Sequence, residues 1–302
     1  MLAGTQLTAM LFGLALAFAG GALHIPDNTH EDDTADITLD ALPELPDWAH
    51  APLPDFTGYQ DTAEKKAAFF SYLYPRIVLA NTRILMLRDK LDYAATLETL
   101  DEPEAQWLER QADRLRVDAE TGSAEQFEML KRRLDVLPPS LVMAQAANES
   151  AWGTSRFARE GNNLFGQWCF SKGCGLVPLA RADGASHEVA AFESPYASIR
   201  AYITNINRHD TYRAVRNERE LAREEGRFPD GNELARGLIG YSERGAAYVK
   251  EIQAMIRHNN LGYYDREFRE LIGKDTGIPA LMQLATGEES RFETSGIARK
   301  EG

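Results

Sequence analysis

The chain has 302 residues and a formal net charge of −13, from 46 acidic and 33 basic side chains. Residues 1–64 hold eleven acids and no Lys or Arg, which leaves 35 acids against 33 bases in the remainder. That near-neutral body argues against nucleic acid as a partner, because phosphate binding shows as a basic excess; 44% hydrophobic residues allow a large core in one or two domains.

The first 23 residues carry no charged side chain, and Leu7–Leu23 is nearly all apolar. Residues 1–22 are expected to be a signal peptide, with Leu11–Phe18 as its apolar stretch and Ala17-Phe18-Ala19 as an A-x-A cleavage site. An uncleaved inner-membrane anchor is the rival, since the run approaches the ~20 residues that span a bilayer. Both readings place the body outside the cytoplasm, in the periplasm or cell envelope. Residues 23–62 contain Pro26, Pro43, Pro46, Pro52 and Pro54 among many acids, the composition of an extended linker. Leu42, Leu45 and Trp48 give it a means of docking on the body.

Residues 63–135 read as helical. Ala67, Phe70, Leu73, Ile77, Ile84, Leu87 and Leu91 recur at three- and four-residue steps, with Pro75 marking a break or kink. Pro103 suits a first helical turn and is followed by Trp107, Leu108, Leu115 and Val117. A third helix, about Ala124–Leu134, carries Phe127, Leu130 and Leu134. These helices show a packing pattern and no catalytic one.

Pro138-Pro139-Ser140 opens a helix that is apolar nearly all round from Leu141 to Ala147, hence central and buried. It ends in Asn148-Glu149-Ser150. A carboxylate there is costly unless it is paired or opens onto a cleft. Glu149 is thus either a salt-bridged helix end or a general acid whose pKa burial has raised. Ala151–Ala158 is expected to continue a turn of helix. Gly161-Asn162-Asn163-Leu164-Phe165-Gly166-Gln167-Trp168 then supplies glycines, amides and aromatics for a tight loop. Aromatic faces and amides around a carboxylic acid suit a sugar cleft.

The run Leu141–Phe157, with its Glu149-Ser150-Ala151-Trp152-Gly153-Thr154-Ser155 block, resembles the glucosaminidase domain of glycoside hydrolase family 73. Asn162-Asn163-Leu164-Phe165-Gly166-Gln167-Trp168-Cys169-Phe170 is similar to the Bax-like bacterial branch of that family. The resemblance covers about residues 136–263 and implies an α+β, mainly α fold: a lysozyme-like catalytic domain with a small β-lobe, preceded here by the helical region. It implies cleavage of peptidoglycan glycan strands between N-acetylglucosamine and N-acetylmuramic acid, with Glu149 as general acid. Trp152, Asn163, Phe165, Gln167, Trp168 and Tyr248 are the implied substrate-binding residues. Ala151 stands where many members have Gly. A second group is expected on the strand His187–Glu193, where Glu188 and Glu193 fall on opposite faces by their odd spacing. Glu188 is taken as the cleft-facing one, unless the substrate's own N-acetyl group is the nucleophile. Tyr241 and Tyr248 fit two family tyrosines that hydrogen-bond the substrate or the acid; Tyr241 is placed with Glu149 and Glu188 as catalytic, and either tyrosine also suits a half-buried core position.

Cys169 and Cys174 enclose four residues. Outside the cytoplasm they are expected to form a disulfide; two reduced thiols or half of a zinc site are the other readings. No second Cys pair or HExxH spacing is present, so neither a metal nor a cofactor is expected. Residues 264–302 read as a tail without a role, with one short amphipathic stretch (Phe268, Leu271, Ile272) before its polar end. Two other functions remain: a lytic transglycosylase, whose 1,6-anhydro product is lighter by one water, and a non-catalytic peptidoglycan-binding or assembly module that contacts a protein partner through its N-terminal helices.

Overall fold

The computed structural model describes residues 42–179, 181, 186–273 and 277–292. The expected signal peptide or anchor lies outside the described residues, as does the linker before Leu42. Among the described residues no helix is long and apolar enough to cross a membrane.

The helical region begins with α1 (Thr62–Ala94), whose start is fixed by Asp61 accepting from the Ala63 and Glu64 amides at 2.6 and 3.0 Å. Pro75, expected to break or kink this helix, sits inside an unbroken 33-residue element. Its missing N–H costs one backbone bond, but Pro75 and its neighbours Leu73, Tyr74, Ile77 and Val78 are buried, and that packing holds the helix together. Next come α2 (Glu102–Leu115), opened by an Asp101–Glu104 capping box, and α3 (Ala124–Arg133), capped by Ser123. Leu87 and Leu91 at the end of α1 join Trp107, Leu108, Leu115 and Leu130 in a small core of their own.

The main core surrounds α4 (Pro139–Glu149), in which every residue from Pro139 to Ala147 is buried. Pro138 leaves this helix without a side-chain cap of its own. The cap comes from far along the chain: Asp265 accepts from the Ser140 amide at 2.8 Å and its hydroxyl at 2.6 Å. After α5 (Arg156–Gly161), three short strands form an antiparallel sheet in the order β1 (Trp168–Cys169), β3 (Glu188–Ala190), β2 (Gly175–Leu176). Trp168 pairs with Val189, Cys169 with Glu188 and Gly175 with Ala190. The expected strand His187–Glu193 is therefore shorter, and Glu193 lies exposed beyond it. The remaining helices are α6 (Pro195–Arg208), α7 (Arg213–Glu224), α8 (Gly231–Leu234), α9 (Ala246–His258), α10 (Gly262–Ile272) and α11 (Ile278–Ala285). A mainly helical body with a small three-stranded lobe is the α+β architecture implied by the resemblance.

Two boundaries differ from the sequence reading. Residues 42–61 are not an extended spacer: Ala49 and Phe56 are buried, the Trp48 indole donates to the Gly287 carbonyl at 2.9 Å, and Arg76 donates to the Trp48 carbonyl at 2.8 Å. Sparse aromatics anchor a proline-rich strap whose composition alone reads as linker. The described part of the supposed tail, residues 264–273 and 277–292, likewise folds, with Tyr264 and Phe268 buried in α10 and α11 packed along α1. Arg76 joins the two ends, stacking on Tyr72 and pairing with Glu289 at 2.7 Å.

The segment after Glu149 also departs from expectation. Instead of continuing right-handed, Ala151, Trp152 and Gly153 take φ of 50°, 60° and 75°, a left-handed turn. Ser150 organises it, donating to the Ala146 carbonyl at 2.6 Å and accepting from the Gly153 amide at 2.8 Å. A Cβ on Gly153 would stand 2.6 Å from the Phe56 ring, so the strap itself requires glycine there. Ala151 is exposed and carries the left-handed penalty with no packing in return. Ala151→Gly is expected to stabilise the fold by about 0.5–1 kcal/mol, the penalty removed less the entropy glycine adds to the unfolded chain. Urea unfolding reads this directly, and a lower midpoint in the variant would contradict it.

Candidate active site

Gln145 and Glu149 are one helical turn apart on α4 and face the same side. The Tyr248 hydroxyl, from α9, donates to Glu149 Oε1 at 2.7 Å and accepts from Gln145 Nε2 at 2.9 Å. The Tyr202 hydroxyl, from α6, donates to Gln145 Oε1 in turn. The result is an unbroken chain, Tyr202 to Gln145 to Tyr248 to Glu149, buried except at its last member. Burial pushes the Glu149 carboxyl up from 4.5 to about 7, against the opposing bonds from Tyr248 and Asn148. A carboxyl group poised there can hold and release a proton near neutral pH.

The rings around this chain support one another. Tyr241 lies parallel under Tyr248 at 5.3 Å and donates to the Phe165 carbonyl at 3.1 Å, while Phe165 stacks on Tyr202 at 4.0 Å. Gly166 passes directly beside the carboxyl, with φ of 65° and room for a Cβ only 3.8 Å from Glu149 Oε2. Asn163 shapes that approach: its Nδ2 donates to the Gln167 and Ala190 carbonyls at 2.9 and 2.8 Å, and its Oδ1 accepts from the Phe165 and Gln167 amides.

The structure thus sorts the expected residues. Glu149 and Tyr248 come together. Tyr241, expected as catalytic, gives its hydroxyl to the Phe165 carbonyl and not to Glu149; it is 2% exposed and packs behind Tyr248. Asn163, Phe165 and Gln167, expected to bind substrate, are buried: Asn163 spends its amide on the loop backbone, Phe165 stacks on Tyr202, and Gln167 Oε1 has no partner among the described residues. Trp152 is half-buried against Phe69 and Phe70 with the Lys66 ammonium 4.9 Å above its ring, and Trp168 is half-buried and stacked on His187 at 4.3 Å. Glu188 is not paired with Glu149. It lies on the Cys169 side of β3, where the Gly173 and Gly175 amides donate to its carboxylate at 2.9–3.1 Å and hold its pKa below the ordinary range. The carboxylate that acts on Glu149 is instead Glu251, ion-paired with Arg244 at 2.7 Å.

Cys169 and Cys174 form a disulfide. Their sulfurs and a Glu188 oxygen lie within 4.8 Å of one another, but with the sulfurs joined and the carboxylate held by amides these groups do not fit a metal ion. Neither Gln145 nor Tyr202 stands out as a site residue in the sequence, where both read as parts of apolar helix faces. Gln145 is the only polar side chain between Leu141 and Ala147, four residues before Glu149, and that spacing was the available signal.

The family model described as mannosyl-glycoprotein endo-beta-N-acetylglucosaminidase matches residues 124–261. Protein bax of Escherichia coli strain K12 is 31% identical over 215 residues, covering 68% of this chain and 74% of that relative. No solved structure matches the chain. With that identity across most of both chains, and with every member of the hydrogen-bonded chain inside the matched stretch, the protein belongs to the Bax-like glucosaminidase-domain family.

Proposed function

We propose that the protein is a glycosidase of the cell envelope that cleaves the β-1,4 bond between N-acetylglucosamine and N-acetylmuramic acid in peptidoglycan, with Glu149 as general acid. The observation that carries this reading is the Glu149 carboxyl itself, half-buried at the end of an apolar helix, raised to about 7 and held by Tyr248. Its proton passes to the leaving glycosidic oxygen as the C1–O bond breaks. With Glu188 committed to backbone amides, the carbonyl oxygen of the sugar's own 2-N-acetyl group attacks C1, and water then opens the cyclic intermediate. The Cys169–Cys174 disulfide supports placement in an oxidising compartment, the periplasm. The half-exposed Trp168 ring offers a face for a pyranose.

Digestion of purified sacculi followed by mass spectrometry tests the reading. Fragments with a reducing N-acetylglucosamine end are expected. Anhydromuramic ends, lighter by one water, would assign the protein to the lytic transglycosylases. Undigested sacculi that nonetheless retain the protein would make it a binding module.

A further inference from the structure

We propose that Gln145 and Tyr202 are positioning residues which, through Tyr248, hold the transferable proton of Glu149 on Oε2, the oxygen beside Gly166. This rests on the reading of Glu149 as general acid and adds to it which oxygen acts.

The argument is one of donor direction. A tyrosine hydroxyl has a single hydrogen, and a glutamine amide donates only from its nitrogen. Tyr202 is buried against Phe165 and Tyr241 and has no other hydrogen-bond partner among the described residues than Gln145. Its hydrogen therefore goes to Gln145 Oε1. That orients the amide, so Nε2 points at the Tyr248 oxygen. Tyr248, already accepting there, turns its own hydrogen to Glu149 Oε1. The opposite direction would leave the Tyr202 hydrogen buried with no acceptor, at the full cost of its desolvation.

Glu149 Oε1 accordingly receives the Tyr248 hydroxyl at 2.7 Å and the Asn148 amide at 3.4 Å, whereas no hydrogen bond within the described residues reaches Oε2. A proton on Oε1 would face two donors; on Oε2 it faces the space that Gly166 leaves open. The chain also strengthens the Tyr248 donor, because each bond polarises the next. The other charged groups acting on Glu149 are Glu251, which raises its pKa, and Arg244, which lowers it; neither belongs to the chain.

Gln145→Glu tests this with an isosteric change. A carboxylate at 145 accepts from both tyrosines, so the Tyr248 hydrogen turns away from Glu149 and its oxygen becomes an acceptor for a proton on Oε1. The expected result is a fall in kcat by roughly 10–100-fold although Glu149 is protonated over a wider range, with the alkaline limb of kcat/KM moved to higher pH. Tyr202→Phe, which removes only the terminal donor, is expected to shift both quantities in the same directions by less. Carbon-13 NMR titration of the Glu149 carboxyl in each variant reads the chain without reference to turnover. An unchanged Glu149 midpoint in both variants overturns the inference. So does a loss of kcat with an unmoved pH profile, or a moved midpoint with full kcat. Failure of the general-acid reading is separate, because it shows as full activity in Glu149→Gln while the NMR midpoints still move.

Discussion

Glu149→Gln is expected to reduce turnover on purified sacculi by about 10²–10⁴-fold, the range that proton transfer contributes, and at the same time to make the protein more stable above neutral pH. The first effect follows because an amide has no proton to give to a leaving alcohol. The second follows from linkage. Folding raises this carboxyl from 4.5 to about 7, so between those values the folded state binds more protons than the unfolded one. Stability therefore falls as pH rises through that window, by on the order of 3 kcal/mol when complete. Gln at 149 is uncharged throughout and escapes the loss. Chemical denaturation of both proteins at pH 4 and pH 8 checks this: equal stability at the lower value and a more stable variant at the higher one are expected. A variant less stable than wild type at pH 8 would show that the buried carboxylate is better accommodated than its environment indicates. Wild-type activity is expected to decline above about pH 7 for the same reason, as the acid loses its proton.

Asp135→Ala is expected to destabilise the fold by about 3–5 kcal/mol, roughly 6–20 °C in Tm, with no direct effect on the chemistry. Asp135 is 3% exposed and precedes α4. Arg223 donates to both its oxygens, at 2.8 and 3.1 Å, and Arg219, 1% exposed, lies 3.6 Å away. Arg219 also donates to the Arg132, Asp135 and Val136 carbonyls and to Asn207, so α3, α6 and α7 meet on it. Without Asp135 its charge stays buried and uncompensated. Burial alone would raise the Asp135 pKa, but Arg219 and Arg223 outweigh it and bring it to about 2. For a carboxyl lowered in this way, the stabilisation is present above its ordinary 3.8 and is lost as pH falls through about 2. The wild-type advantage over Asp135→Ala, followed by calorimetry, is therefore expected to persist at pH 5 and shrink toward pH 2. A variant with unchanged Tm would remove Asp135 from the forces holding the three helices.

Much of the architecture was legible because its signals are local. Proline positions and three- and four-residue apolar steps located α1, α2 and α3, and a carboxylate ending an apolar helix singled out Glu149. The side chains around Glu149 were harder to assign. Phe165, Tyr241 and Tyr248 are all aromatics near the motif, yet one is core, one is packed behind the site and one holds the acid. That division depends on which ring faces which, and no linear spacing records it. Glu188 illustrates the same difficulty: strand alternation correctly allowed it a single face, but that face belongs to the disulfide loop. Ala151 is the converse case, where a departure from the family pattern became intelligible only through a φ of 50°. The strap over residues 42–61 was half legible: Leu42, Leu45 and Trp48 do dock on the core as expected, but the acids and prolines around them read as linker.

The strap and the residues just after α11 meet across Arg76, from opposite sides of the matched stretch, and Phe56 reaches from the strap to the turn that follows Glu149. The family model matches residues 124–261, and these packing partners of the Glu149 helix and its turn lie outside that stretch. The likeness to the Escherichia coli relative runs over 215 residues, well past that stretch. The Glu149 helix is laced shut by sequence before and after the matched segment, including Asp265, which caps it from just past the matched end.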